Sequence, residues 1–326
     1  MPRLPPPVAQ EPRAAVFAYH NVGVRCLEVL LAHGVEVPLV VTHVDDPREE
    51  RWFASVAAEA AEREIPVIAP EDPNATDVVA RVAALAPDFV FSFYYRRMLG
   101  AQLLAIPRRG ALNVHGSLLP KYRGRAPVNW AVLAGERETG ATLHYMAAKP
   151  DAGDIVAQVA VPILPDDTAR EVLDKVTVAA EIALDGALPG LLAGTAPRTP
   201  QDLTRGSYFG GRRPEDGEID WTRDAVTVHN LVRAVAPPYP GAFTAVGGVR
   251  ARVLRTRVVD AAAPPTLAPT LAVEGPRLVA HCGGGGRLQV LALEIDGVPA
   301  GPAAVAARFG GAPAVLGPRV AVRVAL

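Results

Sequence analysis

The chain has 326 residues, of which 50% are hydrophobic and 21% are charged, and this composition excludes a wholly disordered protein. Its 33 basic and 34 acidic residues give a formal net charge of −1, which argues against nonspecific nucleic-acid binding through a positive field. Because a domain typically takes roughly 150 residues, the length predicts two domains.

The cysteines and the N-terminal residues indicate the cellular compartment. Cys26 and Cys282 are far apart in sequence, so we expect neither a disulfide framework nor a cysteine-rich zinc site. Residues 1–12 contain prolines where a signal peptide needs a continuous apolar stretch, and we predict a disordered leader there. No later run approaches the roughly 20 apolar residues of a membrane helix. These features predict a cytoplasmic protein without membrane contact.

The first two hundred residues alternate short apolar runs with amphipathic stretches. This pattern is typical of a mostly parallel sheet flanked by helices, so we predict a doubly wound, Rossmann-like α/β domain over residues 13–194. Its predicted strands are 14–18, 37–42, 67–69, 89–93, 111–115, 141–145 and 156–161, and its predicted helices are 24–32, 49–63, 76–85, 128–133 and 168–192.

The composition changes after Gly194 to Thr, Pro, Arg and Gly, which predicts a linker over residues 195–224. Residues 225–326 form the second predicted domain, with a short helix from about Ala225. Its predicted strands are 249–258, 271–273, 277–282, 287–293 and 319–324. Five short strands predict a small open β-barrel, of which the oligonucleotide-binding (OB) type is one form. The glycines at 283–286 lack the Lys-Ser/Thr of a phosphate loop and predict a hairpin turn.

The densest cluster of polar residues runs from Asn113 to Pro127 and begins at the carboxyl end of a predicted strand. Ligands bind at that end in open α/β sheets. Asn113 and His115 are two residues apart, so on a strand their side chains project from one face. In acyl transfer to an amine, the imidazole can take the proton that the amine loses, and the amide can donate to the oxygen that becomes negative.

A carboxylate that orients the imidazole would complete such a site. Asp151 and Asp154 both lie on a loop between two predicted strands, and their spacing does not distinguish them. A lone strand histidine is more often structural than catalytic, and an aspartate in a loop is more often a turn residue. The remaining histidines show no metal-ligand spacing, so we predict no metal site. They are histidines 20, 33, 43, 144, 229 and 281.

Six blocks of the sequence resemble the folate-dependent formyltransferases. They are FAYHNVG at 17–23, FSFYYR at 91–96, NVHGSLLPKYRGRAPVNW at 113–130, ETGATLH at 138–144, DAGDIVAQ at 151–158 and PEDGEIDW at 214–221. The blocks occur in order and span most of residues 14 to 245.

Within this family the chain is most similar to the branch that formylates UDP-4-amino-4-deoxy-L-arabinose, found as a domain of the bifunctional polymyxin-resistance protein. The residues that match this branch are Tyr94, Tyr95, Arg96, Gly116, Tyr122 and Arg125. Methionyl-tRNA formyltransferases typically carry Ala, Trp and Ala at the last three of these places. The Asn-x-His and Asp-x-Gly-Asp elements are shared by both branches, so they indicate the chemistry and not the substrate.

The resemblance implies 10-formyltetrahydrofolate as co-substrate and a UDP-aminosugar as acceptor, in lipid A (lipopolysaccharide) modification and antibiotic resistance. It implies Asn113 as the oxyanion stabiliser, His115 as the general acid/base and Asp151 as the carboxylate partner of the histidine. The folate contacts that it implies are Arg97, Met98, Leu99, Arg125, Ala147, Ala148, Lys149, Pro150 and Asp151. The substrate contacts are Tyr94, Tyr95 and Tyr122. Arg97, Met98 and Pro150 differ from the aminosugar branch, which places side-chain contacts there in question.

Several alternatives stay open on sequence grounds. The acceptor could be another nucleotide-linked aminosugar, or the chain could be a methionyl-tRNA formyltransferase. A nucleic-acid-binding module is suggested by the barrel, but the near-zero net charge and the lack of a basic, aromatic cluster in residues 250 to 326 argue against it. The oxidative decarboxylase fused to the family's bifunctional member is expected here on a separate protein.

Overall fold

The computed structural model describes residues 11–45 and 51–317. The chain divides into two compact units. The first comprises the chain up to Gly124 together with Gly140–Val161 and Lys175–Tyr208, and the second comprises Arg125–Thr139, Pro162–Asp174 and the chain from Phe209 onward. Most of the predicted leader, the predicted strand 319–324 and the start of the predicted helix 49–63 lie outside the described residues. The domain boundaries and the linker stay predictions.

The strands and helices of the first two hundred residues follow the predicted alternation. In chain order they are β1 (Arg13–Ala18), α1 (His20–Ala32), β2 (Glu36–Val41), α2 (Val56–Glu62), β3 (Val67–Ile68), α3 (Thr76–Ala84), β4 (Phe89–Phe93), α4 (Ala101–Leu104), β5 (Gly110–His115), β6 (Arg123–Gly124), α5 (Pro127–Leu133), β7 (Glu138–Tyr145), β8 (Ile155–Pro162) and α6 (Ala169–Ala193). The short elements α4 and β6 were not predicted.

The predicted bounds of two helices were wrong. Helix α1 begins at His20 and not at Val24, and α2 begins at Val56 and not at Glu49. The predicted second helix included Phe53, whose ring instead packs against His20 at 4.4 Å between ring centroids. The side chain of Ser55 then accepts a hydrogen bond from the Ala58 N–H at 3.3 Å and starts the helix.

Within the described chain, a sheet of seven strands has the order β3-β2-β1-β4-β5-β7-β8. Strands β1 to β5 pair in parallel, and β7 runs antiparallel to β5. Apart from Arg13 and Ser92, strands β1 and β4 are apolar, because a parallel sheet is covered on both faces. The rings of Phe17, Phe89, Phe91 and Phe93 are accordingly fully buried. The predicted mostly parallel, doubly wound sheet is confirmed.

The strand order determines where a ligand can bind. Strand β1 lies between β2 and β4, so the order reverses at the β1–β4 boundary and leaves a crevice beyond the carboxyl ends of these strands. Tyr19 and His20 follow β1, Tyr94 and Tyr95 follow β4, and Gly116 follows β5. Three segments from the resemblance to formyltransferases therefore meet at one edge of the sheet.

Helix α6 is, among the described residues, the one helix long and apolar enough to cross a membrane. Its charged residues include Arg170 and Asp185. One face, formed by Val172, Val176, Ala180, Leu184 and Leu188, recurs every four residues and is fully buried within the fold. Helix α6 is therefore a partly buried core helix and not a membrane span.

The remaining elements form the C-terminal part of the chain. They are β9 (Tyr208–Phe209), α7 (Ala225–Ala234), β10 (Ala242–Val246), β11 (Val249–Asp260), β12 (Thr270–Glu274), β13 (Arg277–His281), β14 (Arg287–Ile295), β15 (Val298–Pro299), α8 (Pro302–Phe309) and β16 (Ala314–Gly317), with single 3-10 turns at Leu203–Arg205 and Pro214–Gly217.

The second unit contains the predicted β-barrel. In the described chain, six antiparallel strands follow the order β11-β10-β16-β12-β13-β14, and β14 pairs back onto β11 from Ala251↔Ile295 to Asp260↔Arg287. The barrel is therefore closed, whereas the sequence predicted an open one. Strands β10 and β16 complete the circle and were not predicted.

The predicted hairpin turn is confirmed, because the Cys282 N–H donates to the Gly286 carbonyl at 3.1 Å between β13 and β14.

Candidate active site

Strand β5 brings Asn113 and His115 to the carboxyl edge of the sheet. Val114 between them is buried at 2% exposure, and His115 is 7% exposed. The Nδ1 atom of His115 lies 3.5 Å from Oδ1 of Asp151, and the amide Nδ2 of Asn113 lies 3.1 Å from Nε2 of His144. The structure thus brings together the three residues that the sequence assigned to catalysis.

The imidazole of His115 lies between two acceptors. Its Nε2 is 2.8 Å from the carbonyl oxygen of Tyr122, and its Nδ1 faces the Asp151 carboxylate. A neutral ring has one N–H and can donate to one of these oxygens, whereas an imidazolium can donate to both. The ring can therefore gain a proton without losing a contact.

Asp151 is held by backbone and side-chain groups of the same unit. Its Oδ2 accepts a hydrogen bond from the Gly124 N–H at 2.9 Å, and its carbonyl accepts one from the Gln201 amide at 3.1 Å. The Asp154 side chain has no hydrogen bond or ion pair with any described residue. The structure therefore distinguishes the two aspartates: Asp151 meets the histidine and Asp154 does not.

His144 is part of this site and was not singled out by the sequence. It lies on β7 directly opposite Asn113. Its Nδ1 is 2.8 Å from the Tyr145 carbonyl, so this nitrogen carries the proton and Nε2 is left to accept from the Asn113 amide. Burial, with a smaller effect of the nearby His115, lowers the pKa of His144 to about 4 against the opposing effect of Asp151. A neutral His144 therefore fixes the orientation of the Asn113 amide, with the amide NH2 group and not the amide oxygen facing Nε2 of His144.

The site contains three non-glycine residues with left-handed backbone conformations. The φ angles are 56° at Tyr94, 56° at Tyr122 and 50° at Asp151. Such conformations cost about 1–3 kcal/mol each and concentrate at functional sites. At Tyr122 and Asp151, this conformation directs the Tyr122 carbonyl and the Asp151 carboxylate towards His115.

Tyr94 and Gly116 depend on each other. A Cβ atom added at Gly116 would overlap the Tyr94 hydroxyl oxygen and approach its Cζ to 3.1 Å. Only glycine therefore lets the Tyr94 ring lie against the backbone that follows His115. This gives a physical reason why the two residues occur together, a pairing that the sequence linked to the aminosugar branch.

The other two predicted substrate contacts are Tyr95, which is half-buried, and Tyr122, which is buried. The Tyr95 ring stacks on His43 at 4.1 Å and packs edge-on against Phe17 at 5.4 Å. Its hydroxyl is buried without a hydrogen-bond partner in the described chain, and burial raises the pKa of Tyr95 to about 12. Tyr122 is buried, and its carbonyl is the group that contacts His115.

The predicted folate segments extend from a shared apolar cluster. Leu99 is buried in this cluster with Phe17 and Leu103, and Met146 packs against the same cluster just before the segment 147–151. The residues with exposed side chains are Arg97, Met98, Ala147, Ala148 and Lys149, while Pro150 is half-buried. Leu99 can therefore offer a ligand only its backbone. Arg125 is exposed and belongs to the second unit.

Two family models match this chain. One, described as formyl transferase, matches residues 25–188, and the other, described as formyl transferase, C-terminal domain, matches residues 212–308. The chain belongs to the formyl transferase family. It is accordingly a formyltransferase-family enzyme, with the Asn113, His115 and Asp151 cluster inside the first match.

Solved structures, two of them of formyltransferases, share this fold. The N-formyltransferase from Helicobacter canadensis, in complex with folinic acid and dTDP-3-aminofucose, has a TM-score of 0.67 at 19% identity, covering 86% of this chain and 98% of that one. A 4-N formyltransferase from Francisella tularensis has a TM-score of 0.58 at 20% identity, covering 71% and 91%. HypX from Aquifex aeolicus, in complex with tetrahydrofolic acid, has a TM-score of 0.61 at 19% identity, covering 91% and 47%. At these identities the similarity shows the fold.

Proposed function

We propose that this enzyme transfers the formyl group of 10-formyltetrahydrofolate to the 4-amino group of a UDP-linked 4-amino-4-deoxy-L-arabinose, in the cytoplasm and as a step of lipid A modification. The observation that carries the proposal is the arrangement of Asn113, His115 and Asp151, supported by His144, at the carboxyl edge of the sheet. It contains an amide donor, a proton acceptor and a compensating carboxylate, the groups that acyl transfer to an amine requires.

Asn113 stabilises the developing negative charge. One N–H of its amide donates to His144, and the second N–H has no partner among the described residues. That free N–H can donate to the oxygen of the reacting carbonyl. Because His144 fixes the amide orientation before the reaction, the donor needs no reorganisation as the charge forms.

His115 takes up the proton that the attacking amine loses. In the protonated ring, Nε2–H donates to the Tyr122 carbonyl and Nδ1–H faces Asp151. The Asp151 carboxylate compensates the new positive charge, and the Gly124 N–H keeps it in place. The same ring can then return the proton to the leaving nitrogen.

A folate co-substrate fits the described residues. It would supply the activated formyl group, and the free Asn113 N–H is a donor suited to the formyl oxygen. The segments 97–99 and 147–151, which adjoin one apolar cluster, would hold the pterin, with Leu99 contributing its backbone. The solved structures in complex with folinic acid and with tetrahydrofolic acid support this choice of co-substrate.

The acceptor is proposed from Tyr94, Gly116 and Tyr122, which follow the aminosugar branch. The Helicobacter canadensis structure contains dTDP-3-aminofucose, which supports an amino group on a nucleotide-linked sugar. The Francisella tularensis protein is a 4-N formyltransferase, which supports transfer to a 4-amino group. The dTDP-3-aminofucose also favours a second candidate, an aminosugar linked to dTDP.

A comparison of acceptor substrates tests the proposal. Purified enzyme with 10-formyltetrahydrofolate is given UDP-4-amino-4-deoxy-L-arabinose, dTDP-3-aminofucose or initiator methionyl-tRNA, and the formylated products are identified by mass spectrometry. We expect the highest kcat/KM for the UDP-aminopentose and no formylation by His115→Ala. A higher value for the dTDP-aminosugar would establish the second candidate, and a higher value for the tRNA would refute an aminosugar acceptor.

A further inference from the structure

The segment beside the catalytic residues contains a buried cation without a counterion. Arg123 is 7% exposed. Its Nε and Nη1 atoms are buried and have no hydrogen-bond partner in the part of the chain that the structure describes, and no described carboxylate forms an ion pair with it. By contrast Arg125, two residues further along, is exposed, so water compensates its charge.

An arginine in this state is unfavourable in the free protein. Burying a charge removes its hydration, and proteins therefore pair almost every buried guanidinium with an anion. The planar guanidinium matches the oxygens of phosphate and carboxylate groups and forms strong, charge-assisted hydrogen bonds with them. The unpaired N–H groups of Arg123 therefore indicate a ligand that brings an oxyanion.

The backbone around Arg123 ties it to the catalytic residues of the same unit. The preceding residue, Tyr122, accepts from His115 through its carbonyl, and the following residue, Gly124, donates its N–H to Asp151. The Arg123 N–H itself donates to the Ser207 carbonyl at 3.0 Å, in the β6–β9 pairing. The guanidinium is thus attached to a backbone segment that contacts both His115 and Asp151.

We propose that Arg123 is the anion-binding residue of the active site and that its buried N–H groups receive a phosphoryl or carboxylate oxygen of a substrate. The choice of ligands rests on the proposed function. A UDP-aminosugar brings a diphosphate, and tetrahydrofolate brings the carboxylates of its glutamate. Both offer the oxyanion that Arg123 lacks.

Isothermal titration of Arg123→Met tests the proposal, with UDP, inorganic diphosphate, tetrahydrofolate and tetrahydropteroate as probes. We expect at least about tenfold weaker binding of one anionic probe, the loss typical of one charge-assisted hydrogen bond. Weaker binding of UDP and diphosphate identifies the phosphoryl group. Weaker binding of tetrahydrofolate, with tetrahydropteroate unaffected, identifies the glutamate carboxylate. The matched control is Arg205→Met, an exposed arginine of the same unit, which should bind all four probes as the wild type does.

A second readout separates binding from a structural role. Removal of an uncompensated buried charge should leave the Tm of the ligand-free Arg123→Met protein equal to or above that of the wild type. Arg123→Lys keeps the charge without the planar fork, so it should fold and bind the same probe more weakly than the wild type. Unchanged binding of every probe by both variants, or a lower ligand-free Tm with unchanged binding, would overturn the proposal. These titrations involve no formyl transfer, so an enzyme that formylates no aminosugar but loses anion binding in Arg123→Met would refute the proposed function alone.

Discussion

Asp151 combines a charge and a backbone conformation that a single substitution can separate. Asparagine tolerates the left-handed φ of 50° and can still accept from the Gly124 N–H, but it has no charge to compensate a protonated His115. We predict that Asp151→Asn lowers kcat/KM for formylation at least about a hundredfold, the usual effect of losing a positioned acid/base system. Steady-state kinetics on folded protein would measure this.

The matched control for this variant is Asp154→Asn, on the same loop. The Asp154 side chain forms no hydrogen bond or ion pair with a described residue, so the kcat/KM of this variant should stay near that of the wild type. Turnover close to the wild-type rate in Asp151→Asn would remove the carboxylate from the proposed mechanism.

Gly116 is predicted to act through Tyr94. In Gly116→Ala the new methyl group displaces the Tyr94 ring, so we expect kcat/KM to fall at least about tenfold. In a Tyr94→Ala background the ring is absent, and the same substitution should then have little further effect. The double-mutant cycle should therefore show a coupling free energy on the order of 1–3 kcal/mol.

Gly186→Ala is the control for this cycle, because a Cβ there would have no neighbour within 4 Å. Its kcat/KM should equal that of the wild type. Additive effects of Gly116→Ala and Tyr94→Ala would show that the two residues act independently.

At the scale of elements, helix α7 begins at a defined cap. The Asp224 carboxylate accepts a hydrogen bond from the Thr227 N–H at 3.0 Å, and Val228 and Val232 of this helix are buried in the apolar cluster of the barrel. We predict that Asp224→Ala lowers the free energy of unfolding of the barrel unit by about 1 kcal/mol. Urea unfolding monitored by tryptophan fluorescence, to which Trp221 of the barrel cluster contributes, would measure the loss. Asp224→Asn keeps an acceptor and should lose much less, so equal losses in both variants would contradict the capping role.

The sequence predicted the central strands well because each satisfies a strong physical requirement. Strands β1 and β4 are apolar except for Arg13 and Ser92, as burial on both faces of a parallel sheet demands. Strand β16 is four residues long, and the prolines and glycines around β10 and β16 resemble loop composition. Their place in the barrel depends on pairing between distant segments, which periodicity within one segment does not reveal.

The candidate site was predictable to the extent that it is local in sequence. Asn113 and His115 share one strand face, a relation that the period of two makes readable. His144 joins the site only through the antiparallel pairing of β5 with β7, and Asp151 is distinguished from Asp154 by the turn of its loop. The unpaired state of Arg123 also depends on tertiary burial, so the sequence showed only a basic residue in a loop.

At the scale of the whole molecule, buried and half-buried histidines couple folding to pH. Burial lowers the pKa of His43 from 6.5 to about 4, with Arg96 and Arg97 adding to the shift. Burial likewise lowers the pKa of His144 from 6.5 to about 4, and it lowers the pKa of His229. The unfolded chain therefore binds more protons than the folded chain between pH 6.5 and 4. In this window protonation favours unfolding.

We predict that the free energy of unfolding is highest above pH 6.5 and falls as the pH decreases towards 4. Each histidine whose pKa is lowered contributes a slope that approaches about 1.4 kcal/mol per pH unit inside the window.

Glutamine can replace both acceptors, since its amide oxygen can accept from the Arg96 N–H in place of His43 and from the Asn113 amide in place of His144. The double variant His43→Gln/His144→Gln should therefore fold and lose most of this slope. Urea unfolding at half-unit pH steps would measure both proteins. An identical slope in the double variant and the wild type would show that groups other than these two histidines set the acid sensitivity of the fold.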